Sequence, residues 1–249
     1  LLSRAWVLAM KASLRVPQRR LPEAIILLEQ ALEEDHDQAF RGTILVSQAR
    51  ARDELGDFSG ALALLRQAEA HVDQKSDPHL YLCLRHNLAW VLASAGFPAE
   101  AAAMFPEIAA LSRRLGNELD QVRLRWLEGR IAAALHDSDR AALLLGEVRS
   151  GFAARQIAYD AALVSLELAA VHAERKNPEQ VKAIARSLVP ILKAQGMHQE
   201  GIAALMVFRQ AAEAQQASVE LVRRALGFFL PAGRQGGPPV AGGGGVGHG

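Results

Sequence analysis

Cysteine is nearly absent from this sequence: Cys83 is the only one in 249 residues. No disulfide can form within the chain, which points to a reducing compartment. Long apolar runs are missing too. No stretch approaches the roughly 18 uninterrupted apolar residues expected of a membrane-crossing helix. The opening, LLSRAWVLAMKASLR, is too short and too interrupted for a secretory leader. Together these features place the chain in the cytoplasm and away from membranes. Neither sign of charge is in excess: 28 Lys+Arg stand against 27 Asp+Glu, a formal net charge of +1. That balance gives no whole-chain electrostatic reason to bind DNA or RNA. The first residue is Leu1, so the simplest expectation is a piece of a longer chain, with a covalently linked domain upstream.

Half of the sequence is hydrophobic and only 5% is aromatic, with alanine and leucine dominant. Such a chain can bury a core, and its good helix formers predict an all-α protein. The helical pattern is clearest in Leu124–Leu145, LRWLEGRIAAALHDSDRAALLL: one helix, a polar turn at His136–Asp139, then a second helix. The same pattern returns at a 40-residue interval. Small residues fall at Ala49, Ala89, Gly129 and Ala169, and again at Ala61, Ala101 and Ala141, with Val181 closing the series. An interval of this length, held over four copies, is the signature of stacked helical hairpins. Only small side chains allow two backbones to come close, so Ala49 with Ala61, Ala89 with Ala101, and Gly129 with Ala141 mark the crossings within each hairpin. Larger residues at Leu65, Phe105 and Leu145 fill the space between hairpins.

Six hairpins follow from this reading. In the first, Trp6–Leu14 precedes a loop somewhat longer than the others, and Pro22 suits the first turn of the next helix. The second joins Gly42–Leu55 to a helix carrying Ala61, Leu65 and Ala68. Gly56 takes the left-handed position, and Asp57 or Ser59 caps the helix that follows. The third runs over Leu80–Ala95, turns at Gly96, and contains Pro106, where a bend or local break is expected. The fifth turns at Lys176–Pro178, and Pro190 falls near the end of its second helix. The sixth is degenerate, with helices over Ile202–Ala214 and Val219–Leu230, as a capping repeat would be. Its end, Leu226 and Phe228–Leu230, either folds back or forms a raw edge. The organisation is therefore a solenoid over residues 1–230 and a disordered Gly/Pro-rich tail over 231–249.

Reactive constellations are missing. The eight histidines share no metal-ligand spacing with carboxylates or the cysteine. Asp35-His36-Asp37 reads as a solvated turn. Asp137-Ser138-Asp139 lacks the glycine and distal glutamate of a calcium loop. Cys83, one helical turn from His86, reads as a buried, inert thiol. No metal, cofactor or catalytic residue is expected, and an enzyme is not.

These residues resemble the tetratricopeptide repeat. In the third hairpin Asn87-Leu88-Ala89, Leu92, Gly96, Ala101 and Phe105 match its pattern; in the second, Ala49, Gly56-Asp57-Phe58, Ala61 and Ala68 do so. The resemblance covers about Ala5–Leu230 and extends to the C-terminal part of large, functionally unassigned bacterial tetratricopeptide proteins. It implies a right-handed superhelix of about six antiparallel hairpins, with the first helix of each lining a concave face. The inward positions then include Arg50 and Asp53, then His86, Asn87 and Trp90, then Arg123, Trp126 and Arg130. Arginine can grip carboxylates and tryptophan offers rigid apolar contact, so this set is a candidate peptide-binding surface. The two-lysine, two-asparagine clamp of some family members is not reproduced, because Val46, Arg50 and Leu127 depart from it. A second reading has Trp90 and Trp126 packed between hairpins and the arginines paired with Glu54 and Glu128. The function implied is a non-catalytic protein-interaction scaffold, or alternatively a ligand- or peptide-sensing module of a larger bacterial regulator.

Overall fold

The computed structural model describes residues 3–16, 18, 20–34, 38–194, 199–213 and 216–227. Among them are twelve α-helices and no strand. They pair in chain order as α1 (Arg4–Arg15) with α2 (Leu21–Glu33), α3 (Gln38–Glu54) with α4 (Phe58–Ala68), and α5 (Pro78–Ser94) with α6 (Pro98–Leu115). The next pairs are α7 (Glu118–Ala134) with α8 (Ser138–Ala154), α9 (Ala158–Glu174) with α10 (Pro178–Ala194), and α11 (Gln199–Glu213) with α12 (Val219–Gly227). Each helix packs on the next, and the first helices also touch one another, α3 with α5 and α5 with α7. The result is a wall of first helices backed by a layer of second helices.

The crossings fall where the small residues are. Ala49, Ala61, Ala89, Ala101, Ala141 and Ala169 are fully buried. A methyl group added to Gly129 would sit 3.0 Å from Leu145 Cδ2 and 3.3 Å from Leu144 Cβ, so α7 and α8 touch there. The first hairpin obeys the same rule with Ala12 and Ala24, both buried. They stand 37 rather than 40 residues ahead of Ala49 and Ala61, which hid them from a fixed-interval search.

Turn chemistry sets the hairpin ends. Gly56 and Gly96 take φ of +80° and +92°. In the fourth and fifth hairpins His136 and Lys176 hold the same left-handed position, at +62° and +54°, without glycine's freedom. Of the two candidate caps for α4, Asp57 is the one used: its Oδ1 accepts from the Gly60 amide at 2.9 Å. That bond, followed by the Arg52 guanidinium, holds the Asp57 carboxyl below its usual range.

Two expectations change. Helix α6 passes Pro106 without a break. Pro106 is exposed, so the carbonyl left without a proline N–H to bond lies on the watered side. Pro190 falls near the end of α10, which runs to Ala194, as expected. Helix α3 begins at Gln38, four residues before Gly42, because the chain becomes helical before its apolar pattern starts. The terminal helix α12 packs on α11 and folds back onto α9, burying Val222 and Ala225 in the core shared with α9. The turn Asp35–Asp37, the aromatic end Phe228–Leu230 and the tail 231–249 lie outside the described residues.

Candidate functional site

The wall of first helices carries the candidate residues in two groups. The first is a clasped aromatic array. Trp90 on α5 meets Trp126 on α7 edge-to-face, with ring centroids 5.0 Å apart, and Trp126 meets Phe152 on α8 in the same manner at 5.5 Å. His86 stacks on Trp90 at 6.1 Å. The guanidinium of Arg130 lies over the Trp90 ring, 3.9 Å from its centroid. Glu167 on α9 closes the array. One carboxylate oxygen accepts from the Trp126 indole N–H at 2.6 Å, and the other faces Arg130 Nε at 3.4 Å. Arg130 Nη2 also donates to Ser94 Oγ at 3.1 Å. Residues from α5, α7 and α9 are thereby tied together.

Glu167 was absent from the sequence-derived set. It lies 41 residues from Trp126, one residue off the 40-residue interval. The expected partners of the arginines hold in part. Arg50 pairs with Glu54 at 3.4 Å. Glu128 instead takes Arg125 of its own helix and Arg140 of α8, at 3.2 and 2.7 Å. Trp126 is 9% exposed and belongs to the body of the wall rather than its surface, whereas Trp90 is half-buried between two cores.

The second group is open to solvent. The side chains of Arg50 and Arg123 are 67% and 51% exposed. Both act electrostatically on Cys83 of α5 and on Asp160 of α9. Burial pushes the Asp160 carboxyl upward, against the pull of Arg123 and then Arg50. Arg123 also pairs with Asp120 at a long 3.4 Å. Cys83 is exposed, not buried as expected. Burial, followed by Asp120 and Asp77, nonetheless pushes its thiol upward, opposite to the shift that activates a nucleophile. Burial lowers the proton affinity of His86 below its ordinary value, and among the described residues its Nε2 has no hydrogen-bond partner. Asn87 is half-buried beside it.

Among the described residues no three His, Cys, Asp or Glu side chains converge as a metal site, and no helix is long and apolar enough to cross a membrane. A cavity of about 300 Å³ lies between α7 and α8, and one of about 160 Å³ between α6, α7 and the turn before α8. Neither is lined by Arg50, His86, Trp90 or Arg123.

No family model matches the chain, and no curated protein matches it. Solved structures do. One is a Rap protein in complex with Competence and Sporulation Factor, with a TM-score of 0.72 and 11% identity. The match covers 90% of this chain and 64% of that one, so the chain spans somewhat less than two thirds of the Rap protein's length. Another is BtubC (BKLC) from P. vanneervenii, with a TM-score of 0.51 and 18% identity, covering 91% of this chain and 97% of that one. With twelve helices stacked in order, these likenesses establish the class: a tetratricopeptide-like helical solenoid.

Proposed function

We propose that the chain is a non-catalytic binding scaffold that holds an acidic, extended peptide segment against its inner wall. The observation carrying this reading is the pair of exposed guanidiniums, Arg50 on α3 and Arg123 on α7, on two first helices that both pack on α5. Arg50 pairs with Glu54 and Arg123 with Asp120, both at a long 3.4 Å, contacts that a ligand carboxylate can replace at little cost. Asn87 and the edge of Trp90 supply the neighbouring amide and apolar contacts. Arg130 and Trp126 support the wall and do not bind. The likeness to a Rap protein solved with a bound factor favours the same class of role.

The test is a library of short peptides graded in net charge. Acidic members should bind more tightly than neutral ones, and Arg50→Glu with Arg123→Glu should weaken them at least tenfold. Arg66→Glu, on a second helix, should change nothing. Binding that ignores peptide charge, or survives the double substitution, would remove the reading. A second reading is a sensing module of a larger regulator, suggested by the likeness to a Rap protein solved with a bound factor. There the same wall binds the peptide and the consequence is felt in a further domain.

A further inference from the structure

The cavity of about 300 Å³ between α7 and α8 has a filled counterpart one hairpin earlier. Each residue of α7 and α8 stands 40 after its equivalent in α5 and α6. In the α5–α6 hairpin Tyr81 reaches across to α6, where its hydroxyl donates to Glu107 Oε1 at 2.8 Å. Arg85 holds the other oxygen of that carboxylate, with Nε at 3.1 Å and Nη2 at 2.9 Å. Leu82 and Ile108 belong to the core that Tyr81 packs against.

In the α7–α8 hairpin the ionic parts are kept and the ring is missing. Arg125 and Glu147 take the places of Arg85 and Glu107, and Arg125 Nε faces Glu147 Oε2 at 3.5 Å. Gln121 replaces Tyr81, and its amide donates instead to the Ser112 carbonyl and hydroxyl, at 2.8 and 3.2 Å. Val122 and Val148 replace Leu82 and Ile108, each one methylene smaller. These five residues line the cavity, together with the ion pair Glu118–Arg155. Among the described residues Arg125 is the one partner of Glu147. The carboxylate can therefore still accept from a hydroxyl, as Glu107 does.

We infer that this cavity binds a phenolic ring. The ring lies against Val122 and Val148, its hydroxyl donates to Glu147, and Arg125 steadies the same carboxylate. A cavity of about 150 Å³ already holds benzene, so the space suffices. The site is separate from the inner wall, whose Arg50, His86, Trp90 and Arg123 do not line it.

The probe is p-cresol, titrated onto the full chain and followed by ligand-observed NMR. Toluene supplies the same ring without the hydroxyl. Saturable binding of p-cresol is expected, with toluene at least tenfold weaker. Gln121→Tyr returns the ring of the earlier hairpin and should abolish binding. Where that variant does not fold, Val122→Leu with Val148→Ile restores the earlier bulk and should weaken binding several-fold. Glu147→Leu should bring p-cresol down to the level of toluene. N-acetyl-tyrosinamide separates the two sources of a phenol. Tighter binding than p-cresol assigns the site to a tyrosine side chain of a partner, and weaker binding to a free phenolic compound. The inference fails with no saturable binding of either phenol, with toluene bound equally well, or with binding that the cavity-filling variants leave unchanged.

Discussion

The guanidinium of Arg130 rests 3.9 Å from the centroid of the Trp90 ring while its Nε faces Glu167 at 3.4 Å. One side chain thus spans α5, α7 and α9. Arginine can do this because its planar cation stacks on an aromatic face and still donates at its edge. Lysine cannot do both. Arg130→Lys is expected to lower stability by about 1–2 kcal/mol in urea unfolding, with charge retained.

Glu167 serves the same array from the other side. Glu167→Ala leaves the buried Trp126 N–H and the half-buried Arg130 cation without their acceptor. A loss of about 2–4 kcal/mol is expected, read from the urea midpoint. Glu167→Gln, which keeps an acceptor, should lose less.

The turns allow a stabilising substitution. His136 and Lys176 sit at positive φ without glycine's freedom. His136→Gly and Lys176→Gly should each raise stability by about 0.5–1 kcal/mol. Gly96→Ala should lower it even though the added methyl would meet nothing within 4 Å, because its φ of +92° is the obstacle. Thermal melts of the three variants decide the matter.

Acidification should weaken the fold through its histidines. Burial lowers the affinity of His86 and His172 for protons below their ordinary value of 6.5. The unfolded chain therefore binds protons first as pH falls through 6.5, and stability drops over the window just below it. Below the folded-state values the loss is complete and constant. The carboxylates held low, Asp57 among them, add their own loss only at more acid pH. Urea midpoints at pH 7.5 and 5.5 should differ, and His86→Gln should narrow the difference.

The crossings set a size limit. Ala89→Leu should cost about 1–3 kcal/mol, because neither α5 nor α6 can retreat without opening the core around Ala101. A midpoint within error of the parent would show that these helices do not meet there.

Helix number, order and crossings were legible in the sequence because small residues recur at a fixed interval, and close backbone approach permits nothing else at those places. The same interval hid Ala12 and Ala24, which precede their counterparts by 37 residues. The site was legible only in outline. Position within the repeat puts Arg50, His86, Trp90 and Arg123 on one wall. It does not say which way a ring turns, so Trp126 was indistinguishable from a surface contact until its indole was seen bound to Glu167. Cys83 was expected to be buried and is exposed, because its residue type alone does not tell which side of α5 it takes. Glu167 and Asp160 gave no signal, because a lone acid in a helix reads as a solvated charge.

The fastening of α5, α7 and α9 by Arg130 and Glu167 has a mechanical consequence. Pulled from its two ends, the solenoid should yield unevenly. The first hairpin, with its small separate core, should peel away at low force, while the middle three rupture together as one block. A spring with a stiff centre and a soft end can change its grip at one extremity without altering the curvature of the rest.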